Sequence, residues 1–264
     1  SLNAGAWTTI TMSPSGGVTR TISGTVAGVM INLNGADNFT IDGLNSGGNA
    51  LTISNLSTNA AASTIKFIAD ASNNTITRCT ISGSSTATTI GTVWFSTGTT
   101  TGNIGNNINN CNIGPAGSNL PITAVYSLGT SIAIPNTVTL NANNIFDYFS
   151  AASVSIGVNL TATGNTGWTI TSNRLYQTAN RVFTSANTHN GMAVLSGAGY
   201  TITGNVIGFA NSSGTGTTNL AGITSGALTG TFPSGYLLGT ATLNATRYIA
   251  LNCAFTAGGT VSSV

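Results

Sequence analysis

The chain carries few side chains that could act as acids, bases or nucleophiles. Its only carboxylates are those of Asp37, Asp42, Asp70 and Asp147, and it has one histidine, His189. Glycoside hydrolysis usually needs two carboxylates about 5–10 Å apart, and a calcium-assisted lyase needs several that converge on the ion. Two of the four lie in turn-like sequences, and the other two belong to distant copies of a repeat. The sequence therefore predicts no catalytic residue, no metal site and no cofactor.

The basic residues do not form a patch. Arg174 and Arg181 flank one loop and could hold an anionic sugar by bidentate bonds, but we favour solvated loop arginines that keep the protein soluble. His189 lies in the turn-like segment 187–191 with no acid or nucleophile beside it in sequence, so we expect it at the surface. Without a basic patch, the sequence predicts no nucleic-acid partner.

Composition indicates a folded chain that is almost uncharged. Of 264 residues, 34 are Gly, 41% are hydrophobic and 4% are charged, and the net charge is +2. Ordinary globular proteins contain about 25% charged residues, while disordered segments combine low hydrophobicity with high charge. A packed core is therefore feasible. No apolar run approaches the roughly 18 residues of a membrane span, so we expect no membrane insertion.

One nine-residue unit occurs five times. Its copies are NNTITRCTI, GNNINNCNI, TVTLNANNI, GWTITSNRL and GYTITGNVI. Each copy has an aliphatic residue in fourth place, Cys or Asn in seventh place and an aliphatic residue in ninth place. The seventh positions are 32, 32, 30 and 32 residues apart. A fixed period of this length, built from strand-like units, predicts a stacked repeat.

Alternation within the unit predicts strands rather than helices. The segment Thr75-Ile76-Thr77 directs Ile76 inward and both threonines outward, and a second strand such as Val93-Trp94-Phe95 follows before the next unit. A repeat of about 31 residues that holds at least two strands is too short for strand–helix crossovers. We therefore expect an all-β solenoid of roughly 7–8 coils in a single domain over residues 1–264, with an irregular coil or excursion over 210–245.

The seventh position predicts an interior column of stacked side chains. Its members are Cys79, Cys111, Asn143, Asn173 and Asn205. A solenoid corner leaves backbone groups without partners in their own coil, and a buried Asn amide can bond them and the Asn of the next coil, about 4.8 Å away. Cys fills the same volume as a small buried hydrophobe, so we expect free thiols rather than a disulfide. Upstream, Leu44 is predicted at this position; the alternative is that these Asn merely occupy turns.

Repeats such as TVTLNANNIFDYF and GYTITGNVIGFANSSG, together with NNTITRCTI and GWTITSNRLYQT, resemble right-handed parallel β-helices of the pectate-lyase-like superfamily. More narrowly, they resemble repeats of large secreted bacterial surface proteins associated with type IX secretion. The resemblance covers residues 36–210. It implies a right-handed parallel β-helix in an extracellular or cell-surface protein, but the superfamily hosts lyases, hydrolases and adhesins alike.

Outward threonines form a possible surface-binding array. They are Thr75, Thr77, Thr169, Thr171, Thr201 and Thr203. A regular threonine array resembles the flat face of ice-binding solenoids, although threonine also suits any exposed strand. Aromatic residues such as Trp94, Tyr126 and Trp168 could stack on sugars, but we expect equivalent side chains to cover one another between coils.

These features favour a non-catalytic structural or adhesive segment of a longer bacterial cell-surface or secreted protein. The alternatives are a polysaccharide lyase or glycoside hydrolase on the same fold, and an ice- or glycan-binding module that uses the threonine array. The sequence shows no capping helix, and an uncapped solenoid end exposes strand edges. We therefore expect either a continuing chain or copies that stack end to end into a fibre, and a neutral glycan surface as the other possible partner.

Overall fold

The computed structural model of the protein describes residues 1–45, 48–185, 187–216, 220–221, 250–253 and 260–261. Within them, three parallel sheets form a β-solenoid of about six turns with ~32 residues per turn, and no helix occurs. This confirms the predicted all-β solenoid. The irregular coil predicted over 210–245 lies largely outside the described residues, and beyond it Ala250–Cys253 and Thr260–Val261 continue two of the sheets.

Each complete coil adds one strand to each sheet, in the order sheet 1, sheet 2, sheet 3. Sheet 1 contains Leu2–Asn3, Val29–Asn34, Ser63–Ile68, Val93–Phe95, Thr123–Ser127, Ser155–Leu160, His189–Val194 and Ala250–Cys253. Sheet 2 contains Ile10–Met12, Phe39–Asp42, Thr75–Thr77, Asn106–Asn109, Val138–Asn141, Thr169–Thr171, Thr201–Thr203 and Thr260–Val261. Sheet 3 contains Arg20–Gly24, Leu51–Asn55, Cys79–Gly83, Asn112–Pro115, Asn144–Phe146, Arg174–Tyr176 and Val206–Ile207. Two short pairs lie outside these sheets: Leu44–Asn45 with Gly48–Asn49, and Arg181–Val182 with Leu220–Ala221.

The nine-residue unit spans two strands, so each coil has three strands, one more than the two that the sequence marked. In the first unit, Thr75–Thr77 belongs to sheet 2 and Cys79–Gly83 to sheet 3. A single residue between them turns the chain by adopting a left-handed backbone with φ of 53–63°. On successive coils this residue is Arg78, Asn110, Ala142, Ser172 and Gly204. Because the turn is so short, it leaves the spacing of the unit intact.

The core is a set of columns in which like side chains lie over one another. Sheet 2 contributes Ile41, Ile76, Ile108, Leu140, Ile170 and Ile202, all nearly or fully buried. Sheet 3 contributes Leu175 and the aligned isoleucines of its neighbouring strands. In sheet 1 the rings of Phe67 and Phe95 stack at 4.5 Å, and Trp168 packs edge-on against Phe95 at 5.3 Å. Trp168 is thus a core residue, as its repeat position predicted.

The prediction that Leu44 occupies the column position is wrong. Leu44–Asn45 pairs antiparallel with Gly48–Asn49 in a short hairpin, and the Leu44 side chain is 45% exposed. The chain returns to sheet 3 at Leu51, which aligns with Cys79. The hairpin therefore displaces the expected residue, and Leu51 fills the column instead.

Candidate functional site

The five predicted column residues, which we call the amide column, lie on successive coils in the solenoid interior. Asn143 Oδ1 accepts the N–H of Cys111 at 2.9 Å. The Nδ2 of Asn143 donates to the Ile108 carbonyl and to Asn173 Oδ1, both at 2.9 Å. Asn173 repeats the arrangement one coil further on, with its Nδ2 2.9 Å from Asn205 Oδ1. Buried amides therefore join the backbones of neighbouring coils at the corner between sheets 2 and 3.

Cysteines occupy the N-terminal end of the amide column. Cys111 Sγ lies 3.6 Å from the Ile76 carbonyl, the place that the Asn143 amide nitrogen takes one coil further on. Cys79 and Cys111 are both free and fully buried. Burial raises the pKa of the Cys111 thiol, so the thiolate is disfavoured in the folded protein. These thiols occupy the volume of an amide without its strong hydrogen bonds.

A second group of buried asparagines, which the sequence did not predict, lies at the corner between sheets 1 and 2. Asn103 Oδ1 accepts the N–H of Ala71 at 3.1 Å, and its Nδ2 donates to Asn136 Oδ1 at 2.8 Å. Asn136 in turn donates to Ser127 Oγ at 2.9 Å. Both asparagines lie outside the nine-residue unit, in connections of unequal length. Their recurrence 33 residues apart was the only available signal.

The predicted threonine array lies in two rows on the outer face of sheet 2. The first row is Thr11, Thr40, Thr75, Asn107, Thr139, Thr169 and Thr201. The second row is Asp42, Thr77, Asn109, Asn141, Thr171 and Thr203. Side chains of the second row bond one another, for example Thr171 Oγ1 to Asn141 Oδ1 at 2.8 Å. The hydroxyls of the second row are thus partly used within the protein, while the first row presents its threonines to solvent at strand spacing.

A different row, on the outer face of sheet 1, combines aromatic, amide and basic groups. This sheet 1 outer row is Asn32, Lys66, Trp94, Tyr126, Asn159 and Ala193. The Lys66 ammonium lies 3.8 Å from the centre of the Trp94 ring, and burial lowers the pKa of Lys66. This is a cation–π contact in a partly desolvated place.

Three polar atoms of the sheet 1 outer row have no hydrogen-bond partner among the described residues. They are Asn32 Oδ1, Trp94 Nε1 and Asn159 Oδ1, and none of them is exposed to solvent. The Asn159 side chain is 4% exposed, and its Nδ2 reaches the Thr88 carbonyl only at 3.4 Å. Buried polar groups are normally bonded, so this row has unused capacity for both donor and acceptor contacts.

Asp42, which begins the second threonine row, forms an ion pair with Arg78. Arg78 Nε lies 2.9 Å from Asp42 Oδ1, and the Arg78 guanidinium holds the pKa of that carboxyl below its usual value. The Asp37 carboxylate accepts the N–H of Ser72 at 2.7 Å. Both carboxylates therefore bond the coil above their own.

Asp70 is enclosed by the loop of the next coil. Its carboxylate accepts the backbone N–H groups of Thr99, Thr100, Thr101 and Gly102, at 2.8–3.2 Å. Burial alone would raise the pKa of Asp70, but the bonds from Thr99, Gly102 and Thr100 outweigh it and lower the pKa to about 2. Asp70 thus acts as a turn-forming residue, bonded across two coils.

Arg181 is not solvated, contrary to the sequence interpretation. Its NH2 group bonds the Asp147 carboxylate, and the two side chains are 15% and 10% exposed. Arg181 Nε also donates to Gln177 Oε1 at 2.9 Å, and its guanidinium lies 5.9 Å from the Phe149 ring. The loops of successive coils pack on one another here, so the arginine is covered by its neighbours.

His189 is buried rather than at the surface, which corrects the prediction. It begins a sheet 1 strand, is 5% exposed and stacks on Tyr148 at 4.8 Å. Its Nδ1 lies 2.8 Å from Ser155 Oγ. Burial, and then the charge of Arg181, lower the pKa of His189 to about 3. The Ser155 hydroxyl is fully buried as well, so the pair lies enclosed in the interior.

The described residues include no group of three or more His, Cys, Asp or Glu side chains placed to hold a metal ion. Over the same part of the chain, no helix has the length and apolar character needed to cross a bilayer. No protein-family model, no curated protein and no solved structure matches the sequence or the fold. The function proposed below is therefore inferred from the geometry alone.

Proposed function

We propose that the chain is a non-catalytic structural or adhesive segment of an extracellular bacterial surface or secreted protein. The observation that carries this proposal is the amide column inside three parallel sheets. Every central strand is bonded to two neighbours, and buried amides also bond the corners between coils. Such a coil stack leaves little backbone open to proteases and behaves as a stiff spacer.

The dimensions fit a spacer that displays its outer faces. Six turns at about 4.8 Å each extend for roughly 29 Å along the stack. The outer face of sheet 2 is uniformly polar, and the four carboxylates are occupied in bonds that link coils. In this arrangement the charged groups support the scaffold.

The test is incubation of the purified chain with acidic and neutral polysaccharides, followed by measurement of bound protein and of released unsaturated or reducing ends. We expect retention on an insoluble polysaccharide or cell surface without product release. Product formed by the wild-type chain and abolished in Asp147→Asn or Arg181→Ala would overturn the proposal in favour of the enzymatic alternative.

The sheet 1 outer row supports a second candidate function, contact with a neutral glycan. Trp94 offers an indole ring whose contact with the Lys66 ammonium a sugar would replace, and its Nε1 and the Asn159 Oδ1 offer an unpaired donor and acceptor. Sugar hydroxyls can satisfy both kinds of group while a sugar face packs on the indole. Since the unpaired atoms are covered, binding requires the connection that carries Thr88 to move away from Asn159.

Two variants distinguish this row from the threonine array. We expect Trp94→Ala to abolish binding on a glycan array and Thr201→Lys to leave it unchanged, with both variants folded by circular dichroism. The reverse result would assign binding to sheet 2. Thermal hysteresis that is lost in Thr201→Lys would instead support ice binding by the threonine rows.

A further inference from the structure

In the amide column, two thiols occupy equivalent positions on adjacent coils. The strands Cys79–Gly83 and Asn112–Pro115 pair in parallel with Thr80 opposite Asn112. The residues just before that pair, Cys79 and Cys111, are therefore level on adjacent coils. Burial, and then the neighbouring Cys79 side chain, raise the pKa of the Cys111 thiol, so the two side chains are neighbours in the interior.

The backbone spacing at this level suits a covalent bond. Adjacent parallel strands lie about 4.8 Å apart, and disulfides join residues whose Cα atoms are about 4.4–6.8 Å apart. Both side chains point into the same column, which is the direction that a bridge between them needs. Neither residue has to leave its strand register.

We propose that Cys79 and Cys111, which are free thiols in this structure and which the sequence alone predicts to stay free, form a disulfide when the chain folds under oxidising conditions. The bridge closes the column covalently where it lacks an amide pair. The Cys79 or Cys111 thiolate attacks one sulfur of a small disulfide such as oxidised glutathione, and one glutathione thiolate leaves. The second cysteine thiolate then attacks the protein sulfur of the mixed disulfide, and a second glutathione leaves. Two thiol protons pass to the glutathione thiolates, so the protein loses two hydrogens.

The timing of oxidation follows from burial. Both thiols are fully buried once the coils have stacked, and burial raises the pKa of the Cys111 thiol. An oxidant therefore reaches them before the column closes or when a coil opens. In a chain folded under reducing conditions, Cys79 and Cys111 remain free thiols. In a chain folded under oxidising conditions, they form the bridge.

The bridge would close a loop of one solenoid turn. Cys79 and Cys111 are the equivalent ends of one coil, whose strands otherwise contact the neighbouring coils by noncovalent bonds. A cross-link between them restricts the unfolded chain and prevents the two coils from separating. The redox conditions during folding would thus determine the stability of the two coils that carry Cys79 and Cys111.

The experiment uses Cys253→Ser, which leaves Cys79 and Cys111 as the only cysteines of the chain. The protein is unfolded in urea and refolded either with oxidised and reduced glutathione or with reductant alone. We expect the oxidised sample to lose about two mass units, with a peptide that links Cys79 to Cys111. Its thermal midpoint should exceed that of the reduced sample by roughly 5–10 °C.

The matched control adds Cys111→Asn. This substitution places on the coil of Cys111 the same amide that the column holds on the following coils. This variant should refold, and its midpoint should not depend on the redox conditions. Folded, reduced protein given the same oxidant should oxidise at least about tenfold more slowly than refolding protein. Two alkylatable thiols after oxidative refolding, or a linked form that melts below the reduced form, would overturn the proposal.

Discussion

Replacing Asn143 by alanine tests whether the amide column stabilises the solenoid. The substitution removes the acceptor of the Cys111 N–H and the donor to the Ile108 carbonyl. The Cys111 N–H then lies unpaired in a fully buried corner, and such a group costs about 1–3 kcal/mol. The Ile108 carbonyl loses its bond from the amide, but its strand stays paired with Val138–Asn141 on the next coil. Asn173 Oδ1 keeps its bond from the Asn143 N–H. We expect a loss of about 2–3 kcal/mol in the free energy of unfolding.

The measurement is urea unfolding followed by circular dichroism. Asn144→Ala is the matched control, because Asn144 is the next residue, is only half-buried, and bonds Asn112 Oδ1 at 2.8 Å on the outer face. We expect that control to lose no more than about 0.5 kcal/mol. Asn143→Cys should fall between them, since the column already holds cysteine one coil below. Equal urea midpoints for Asn143→Ala and Asn144→Ala would refute the reasoning.

Three further substitutions probe other parts of the scaffold. The folded pKa of Asp70, about 2, is below its unfolded value of 3.8, so Asp70 stabilises the fold above pH 3.8 and this contribution disappears as the pH falls through 2. Asp70→Asn should therefore lower the free energy of unfolding by about 1–2 kcal/mol at pH 7, discounted for partial exposure, and by progressively less as the pH falls from 3.8 through 2, as measured by urea unfolding across pH. His189 is neutral when buried, so its contribution to the free energy of unfolding is fully present above pH 6.5. This contribution falls between pH 6.5 and 3, because the unfolded chain takes up a proton there. His189→Gln should therefore flatten that part of the plot of thermal midpoint against pH. Ala142 has a φ of 53°, so Ala142→Gly should raise the free energy of unfolding by about 0.5–1 kcal/mol, as measured by urea unfolding. The control Ala60→Gly, in an exposed turn, should lower that free energy by a small amount.

The sequence predicted the parts of the molecule that repeat in register. Equal spacing brings identical positions to the same level of the stack, so the aliphatic and Asn/Cys positions of the unit had to form columns. The same regularity hid one strand per coil. The turn at Ala142 and its equivalents uses a single left-handed residue, and no glycine, proline or change of spacing marks it in four of the five units.

The connections between sheets could not be predicted, because their lengths differ from coil to coil. The burial of His189 and Arg181 comes from loops that lie over one another, and no local pattern encodes which loop covers which residue. The buried Asn103 and Asn136 were missed for the same reason. The unpaired atoms of the sheet 1 outer row also depend on a distant contact, since Thr88 and Asn159 are 71 residues apart.

The hairpin at Leu44–Asn49 shows where this scaffold accepts change. Leu44–Asn45 and Gly48–Asn49 pair with each other outside the three sheets, yet the strand Leu51–Asn55 pairs in register with both of its neighbours. Register is restored because a slip of one residue would turn the buried Ile53 outward and its polar neighbours inward. A coil can therefore gain surface at its corners without disturbing the columns. For a displayed or adhesive segment, variation should accordingly concentrate in these connections and in the outer rows, while the amide column keeps residues of its present size.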